Sequence, residues 1–336
     1  ETSAQLRDFK NCPLVGIYHP SFFSNLSIGS LRSNKYCKLM TPQGIKQIKL
    51  REYQERYLLH LMRNRLSIYL SCRQAGKTTT SALFLLHYIL FNVDKNSLVL
   101  GNKRKTSIEI MDKIKSIFYE LPYFLRPGIY KWNEGEIVLD NGCRIMAEAT
   151  TEKSGIGMTI HCCLLDEFAH VHPNIIDKFY NNIFPTITAG KARLMITSTQ
   201  NGYNLFYRLY KAAEAGENEY AHFKTDWDEV PEWNPDLKCW EKRDEAWHRM
   251  QVANYGSEEA FNKQFGTNFD VNSNTLIDTK IIRRFEKESV EFIRRELPGV
   301  SYAEYFFWHP NYELSEMKKD YFVITTDIAE GVSGDD

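Results

Sequence analysis

Along residues 50–64, Leu50, Tyr53, Tyr57, Leu58 and Leu61 recur at helical spacing, so "LREYQERYLLHLMRN" is expected to form an amphipathic helix. Beyond it, strand and helix patterns alternate. "SIYL" reads as a short strand, "TTTSALFLLHYILF" as a helix apolar nearly all round and therefore buried, and "SLVLGN" as a second strand. "SIEIMDKIKSIFYEL" is amphipathic, and "GEIVLDNGCRIMAEAT" carries two β-rich runs around Asn141-Gly142, a strong hairpin signal. "IHCCLLDEF" and "KARLMITSTQ" follow as apolar strands that end in polar residues. This alternation implies an α/β fold with a mainly parallel sheet, whose ligands sit at the carboxyl ends of the strands.

The flanks are different in kind. Residues 1–50 mix Gly, Pro, Ser and basic residues around short apolar clusters, which reads as irregular structure with one or two small elements. From 226 onward, Trp227, Trp233, Trp240 and Trp247 stand in a charged, helix-forming background with no buried strand, so a separate subdomain is expected. Trp240 and Trp247 lie a heptad apart, and these rings are read as helix core in preference to a base-stacking platform. A last strand, "YFVITTDIA", begins a further unit that the chain does not finish. The chain opens without Met and stops at "GVSGDD", so each end is expected to be a boundary either of truncation or of order.

Composition narrows the partners. With 336 residues, 43% of them hydrophobic, the chain has material for two domains. Its 42 basic and 43 acidic side chains nearly cancel, so any nucleic-acid contact must come from a local patch. The seven cysteines show no C-x-x-C spacing and no His pair at zinc-finger distance, which points to a reducing compartment and no structural zinc. No signal segment is visible, and the longest apolar run, Ala82 to Val93, is interrupted by His87, so no membrane association is expected.

The chemistry concentrates in "SCRQAGKTT". Gly76-Lys77-Thr78, between a strand and a buried helix, forms a phosphate-binding loop in which backbone N–H groups and the positive helix end surround a phosphate. That assigns Ser71, Gln74, Ala75, Gly76, Lys77, Thr78 and Thr79 to nucleotide binding, with Lys77 on the β/γ oxygens and the Thr78 hydroxyl on Mg²⁺. Ser71 stands where the usual pattern has a glycine, which is tolerable if the position needs no positive φ. Downstream, the strand Cys162–Leu165 delivers Asp166 as a second Mg²⁺ group and Glu167 as the carboxylate that polarises an attacking water. Thr197, Ser198 and Thr199 end another strand, where they either bond the catalytic water or Glu167 or form a solvated strand end. The Gln54 amide suits an adenine edge. Lys103, Arg104 and Lys105 either hold DNA phosphates or begin a solvated helix. Together these features indicate an ATP-hydrolysing mechanical or helicase-like protein.

In order and spacing, "LREYQ", "SCRQAGKTT", "LLDEFA", "ITSTQNG", "SEEAFNKQFGTNF" and "TTDIAEG" resemble the large terminase subunit of tailed bacteriophages. The resemblance implies a RecA-like (ASCE) P-loop ATPase with a mainly parallel sheet and a small helical lid subdomain, then an RNase H-like nuclease. On this chain that gives an N-terminal segment 1–50 packing on the lid, an ATPase core 51–225, a lid and linker 226–318, and the start of the nuclease at 319–336. It implies Gln54 for adenine, Glu167 as catalytic carboxylate, Thr197 to Thr199 as the coupling motif, and Arg73 acting in cis on the γ-phosphate. A ground-state phosphate contact or a surface salt bridge is the alternative for Arg73. Asp327 matches the first metal-binding carboxylate of a nuclease that uses two divalent ions, Mg²⁺ or Mn²⁺; without the others, these residues alone are not expected to cut DNA. Two positions depart from the family pattern: Ile156-Gly157 replaces Arg-Gly, and Lys263-Gln264 replaces Gln-Glu.

The implied function is an ATP- and Mg²⁺-dependent motor that moves double-stranded DNA into a procapsid. Its implied partners are the portal protein, the small terminase subunit and further copies of itself in a ring, in the host cytoplasm. The rival readings are a helicase, which would need a second RecA-like domain, and a non-catalytic nucleotide-dependent docking protein.

Overall fold

A computed structural model describes residues 38–41, 44–47, 50–121, 123–234, 239–269, 293–295 and 306–308. In chain order the strands are β1 (Lys38–Thr41), β2 (Gly44–Gln47), β3 (Leu66–Ser71), β4 (Asn96–Gly101), β5 (Ile129–Asn133), β6 (Glu136–Leu139) and β7 (Arg144–Ala149). They continue with β8 (Cys162–Asp166), β9 (Arg193–Ser198), β10 (Ala221–Thr225), β11 (Glu232–Asn234), β12 (Cys239–Glu241), β13 (Ile293–Arg295) and β14 (Phe306–Trp308). The helices are α1 (Glu52–Arg63), α2 (Lys77–Leu90), α3 (Arg104–Glu120), α4 (Pro173–Ala189), α5 (Leu205–Ala215), α6 (Glu245–Tyr255) and α7 (Glu258–Phe265).

Strands β3, β4, β8 and β9 are almost wholly buried, as their unbroken apolar runs require of a sheet covered on both faces. They sit at the centre of one eight-stranded sheet of order β10–β3–β9–β8–β4–β7–β6–β5. The strands from β10 to β7 are parallel, and β6 and β5 extend the sheet antiparallel. Alternate side chains feed two cores. Tyr69, Val99, Leu164 and Met195 meet Tyr57, Leu61, Leu85, Ile89, Ile110 and Ile114 from α1, α2 and α3. Ile68, Leu70, Leu165 and Ile196 meet Phe179, Ile183 and Ile187 of α4 and Phe206 and Tyr210 of α5.

The expected hairpin forms between β6 and β7, with Ile137 opposite Ile145. Asn141 does more than turn the chain: its Oδ1 accepts from the Cys143 amide at 3.0 Å, while its Nδ2 donates to the Ile89 and Asn92 carbonyls at 2.7 and 3.0 Å. The hairpin is thereby tied to the end of α2. Upstream, β1 and β2 pair antiparallel, and Lys38 reaches Glu120 of α3 at 3.4 Å.

Beyond β10 the fold departs from the sequence expectation for the tryptophans. Asp244 caps α6 by accepting the Trp247 amide at 2.8 Å, so the helix starts after Trp240. Trp240 lies instead on β12, 56% exposed, opposite Trp233, 41% exposed, in the β11–β12 hairpin. Trp247 does enter a small helical core, with its ring 5.6 Å from Trp227 and 5.4 Å from Phe265. One heptad spacing therefore spanned a strand and a helix, because a capping aspartate stood between them.

The chain divides into two compact units, 1–274 and 275–336. Within the second, β13 and β14 pair antiparallel. The strand expected around Asp327 lies outside the described residues, as does the segment 1–37.

Phe179 is fully buried between α4 and the sheet and packs near Phe168 of the turn after Asp166-Glu167. Phe179→Ala is expected to cost about 3–5 kcal/mol of stability. Urea denaturation checks it; a shift below about 1 kcal/mol would mean that α4 does not carry this core.

Candidate active site

Parallel register brings the polar strand ends to one edge. Asp166 lies opposite Thr197 of β9 and Gly101 of β4, Leu70 lies opposite Ser198, and Ser71 opposite Thr225. Strand β9 thus separates the phosphate-loop strand β3 from the Asp166 strand β8, and its hydroxyls fall between them.

The loop after β3 is held from several sides. Its first amide, Cys72, donates to the Thr225 carbonyl at 3.1 Å. Ser71 belongs to β3 and has no positive φ, whereas the left-handed positions are Gln74 (φ 64°) and Gly76 (φ 75°). A serine in place of the pattern's first glycine therefore meets no steric cost. Two side chains of α1 grip the far end, since the Tyr53 hydroxyl and Gln54 Nε2 both donate to the Ala75 carbonyl, at 3.0 and 3.1 Å. A Cβ at Gly76 would stand 2.5 Å from Gln54 Nε2 and push that amide off Ala75, while the positive φ itself calls for glycine.

The Gln54 carbonyl accepts from the Arg51 amide at 3.1 Å, so both ends of this amide hold the chain's own backbone. Adenine recognition by Gln54 would compete with those bonds. The neighbouring Arg51 guanidinium lies 3.7 Å from the centre of the Trp240 ring.

Helix α2 starts at Lys77, and no side chain caps it. Its first amides and positive end are left for an anion. Lys77, only 7% exposed, is directed at the Asp-Glu pair, with Nζ 2.7 Å from Glu167 Oε1. Thr78 Oγ1 donates to Asp166 Oδ2 at 3.2 Å, and Thr197 Oγ1 donates to Asp166 Oδ1 at 2.6 Å. Thr79 is half-buried in the same turn of α2.

Burial raises the Asp166 carboxyl above its ordinary range, against the opposing pull of Lys77 and of the two hydroxyls. Glu167 behaves oppositely. Burial alone would raise it, but the Lys77 ammonium, in charge and in hydrogen bonding, outweighs this and holds it below the usual carboxylate range. Glu167 has also left the sheet, in left-handed backbone (φ 54°, ψ 40°) that a non-glycine residue adopts only at a cost. Two adjacent carboxylates thus have different orientations and different proton affinities.

The triplet on β9 divides its work. Thr197 bonds Asp166, the Ser198 hydroxyl accepts the Ala169 amide at 3.1 Å, and Thr199 Oγ1 is 2.8 Å from His170 Nε2. None of the three hydroxyls bonds Glu167, because the register sets Thr197 against Asp166 and the left-handed step carries Glu167 away from the strand. Next in sequence, Gln200 Nε2 donates to the Asn262 carbonyl of α7 at 2.8 Å, a physical link from strand end to helical subdomain. Sequence reasoning missed Tyr53 as a polar group, because its spacing marked it as core. It also missed His170, Asn201 and Asn204, although His170 stands one helical turn after Glu167.

Arg73 is exposed and forms no ion pair among the described residues, yet it is near enough to depress the His170 pKa, to which burial contributes most. Lys103, Arg104 and Lys105 are exposed at the start of α3, and Arg104 lies 3.7 Å from Glu134. Ile156 is exposed, Gly157 takes φ 75°, and Lys263 and Gln264 lie on α7. Asp327 lies outside the described residues.

The donor set at Thr78 and Asp166, a hydroxyl and a carboxylate 3.2 Å apart, consists of hard oxygens and fits Mg²⁺. Mg²⁺ takes few protein ligands and completes its shell with phosphate oxygens and water.

Residues 68–284 match the family described as "Terminase large subunit, T4likevirus-type, N-terminal". The fold resembles the Thermus phage P74-26 large terminase ATPase domain with TM-score 0.51 and 16% identity, covering 66% of this chain and 94% of that one. It resembles the HK97 bacteriophage large terminase with TM-score 0.56 and 16% identity, covering 72% of this chain and 54% of that one. At such identities the likeness is one of fold, the RecA-like α/β arrangement with a mostly parallel sheet. The chain spans about half the length of the HK97 protein. With the family pattern matched from β3 through α7 and beyond, this chain belongs to the T4likevirus-type terminase large subunit family, of which it carries the N-terminal region.

Proposed function

We propose that the chain is an ATPase that drives double-stranded DNA into a procapsid, and that the edge formed by β3, β8 and β9 is its catalytic site. The observation that carries this reading is the buried pairing of Lys77 with Glu167 beside the Thr78–Asp166–Thr197 cluster, at the uncapped start of α2. A lysine set to meet phosphate thus rests on a carboxylate set to meet water.

In the proposed mechanism, the polyphosphate of ATP sits against the loop amides of Gln74 to Thr79 and the start of α2. Lys77 exchanges Glu167 for the β/γ oxygens, a change of partner within one buried pocket. Glu167, relieved of its ion pair, then accepts a hydrogen bond from the attacking water and takes its proton. Thr78 and Asp166 would hold Mg²⁺, which would supply positive charge against the phosphates. Arg73, exposed beside the site, folds inward and forks onto γ-phosphate oxygens as charge spreads in the transition state. Ser71 leads the chain into the loop from the end of β3, and Gln54 holds its end through Ala75. Its expected adenine contact requires exchange of those bonds.

Thr197, Ser198 and Thr199 connect Asp166 and the turn after Glu167 to Gln200, and so to α7. That route would convert the state of the site into movement of the helical subdomain, which supports the coupling role. Translocation further calls for double-stranded DNA, the portal, the small terminase subunit and a ring of copies, in the host cytoplasm and transiently on the procapsid. A nuclease with Asp327 and two divalent ions would complete the larger protein. A helicase would need a second strand–helix sheet; among the described residues, 226–269 supply only a hairpin and helices.

Glu167→Gln is expected to lower the turnover number for ATP at least about 100-fold while nucleotide still binds. Phosphate release and binding of a fluorescent ATP analogue separate the two, and near-normal turnover would remove the water-activating role. The second expectation is a contrast between two variants: Lys77→Ala weakens nucleotide binding itself, whereas Arg73→Ala lowers kcat far more than it raises KM. A pure affinity loss in Arg73→Ala would assign it to ground-state binding.

A further inference from the structure

The three-residue turn that follows Glu167, Phe168–His170, is held from outside its own strand. The Ala169 amide donates to Ser198 Oγ at 3.1 Å, and the Ala169 carbonyl accepts from Asn201 Nδ2 and Asn204 Nδ2, each at 2.8 Å. His170 completes the attachment through Nε2, 2.8 Å from Thr199 Oγ1. The end of β9 thus fixes the turn after Glu167 and where the His170 ring can go.

One side chain, Lys77, holds the Glu167 carboxylate. It occupies Oε1, while Oε2 is buried without a hydrogen-bond partner of good geometry, and His170 Nε2 lies 3.7 Å from it. A buried carboxylate oxygen left in that condition needs a donor in some state of the protein. When a phosphate draws Lys77 away, Glu167 loses its one side-chain hydrogen bond and keeps only the pull of the Thr199 amide, and a carboxylate held at one point alone aims a water poorly. A side-chain donor beside Glu167 that a phosphate does not claim is His170. Closing from 3.7 Å to hydrogen-bond distance takes a movement of about 1 Å.

We propose that His170 is a positioning residue, which links the Thr199 hydroxyl to Glu167 Oε2 and orients the carboxylate while Lys77 engages phosphate. The inference rests on the ATPase reading above. It requires the Nε2–H tautomer, whose one N–H is shared between Thr199 Oγ1 and Glu167 Oε2 as a three-centre hydrogen bond. It also gives Thr199 a defined role, since its hydroxyl sets the ring and the ring sets the carboxylate. Any shift at the end of β9 is then felt at Glu167 through the imidazole.

The test compares steady-state ATP hydrolysis by the whole chain in the wild type, Glu167→Gln, His170→Phe, His170→Gln, His170→Asn, Thr199→Val and the double variant His170→Phe/Thr199→Val. His170→Phe is expected to lose about tenfold in kcat with KM for ATP changed less than about twofold. Gln places its amide near Nε2 and recovers most of the rate; Asn, placed near Nδ1, recovers less. The double variant is expected to be no slower than the slower single one, since both break the same link. Normal kcat in His170→Phe, Asn outperforming Gln, or fully multiplicative losses in the double variant would each overturn the inference. If His170→Phe fails to fold, the Gln and Asn comparison decides. Wild-type turnover abolished by Glu167→Gln, together with an unaffected His170→Phe, rejects the His170 role alone. No turnover in the wild type rejects the ATPase reading and this inference with it.

Discussion

The ammonium of Lys77, almost fully buried, and the carboxylate of Glu167, part-exposed, lie 2.7 Å apart. Removing one member of such a buried pair leaves the other uncompensated, at a cost of about 3–5 kcal/mol. For the buried Lys77, exchange avoids that cost only where another negative charge takes the place of Glu167. A phosphate is such a charge. Much of the sheet serves to make this meeting possible: β9 spaces β3 from β8, and parallel register brings the loop, Asp166 and Thr197 to a common edge. The helices on both faces bury the strands behind that edge, while Arg73 and Gln74 are exposed at it.

Around the pair, backbone conformation is held by side chains from distant parts of the chain. Gln74 and Glu167 both occupy left-handed backbone without being glycine. The first is supported by the grip of Tyr53 and Gln54 on Ala75, the second by the attachment of residues 168–170 to the end of β9. Both restraints also connect the site to neighbouring helices, α1 with its Arg51–Trp240 stack and α7 through Gln200. The candidate site and the helical subdomain are therefore joined by the same few hydrogen bonds.

Much of this was legible in the sequence, for a physical reason. Buried parallel strands and buried helices leave unbroken apolar runs, and polar residues at the ends of such runs must face the ligand edge; that is why Lys77, Asp166, Glu167 and Thr197 could be placed together. The Asn141-Gly142 turn was legible because few residue pairs accept its backbone. What failed was any inference that depended on a boundary set by one cap, as with Trp240 and Trp247 on either side of Asp244. Helix α4 was not anticipated: its apolar stripe contains Pro185, which reads as a breaker. Strand β10 is short and half-exposed, and only pairing with β3 makes it a strand. The hydroxyl partners were hidden too, because composition places Thr197 to Thr199 near the site while register alone decides which atom each one reaches.

The central claim is that Lys77 changes partner from Glu167 to a phosphate. A crystal structure of the same chain with a non-hydrolysable ATP analogue and Mg²⁺ tests it most directly. The expected result is the analogue's phosphates on the start of α2, Lys77 Nζ bonded to them, and Glu167 Oε1 released from the 2.7 Å contact. A nucleotide bound with the Lys77–Glu167 contact intact, or bound away from the edge of β3, β8 and β9, would contradict the account.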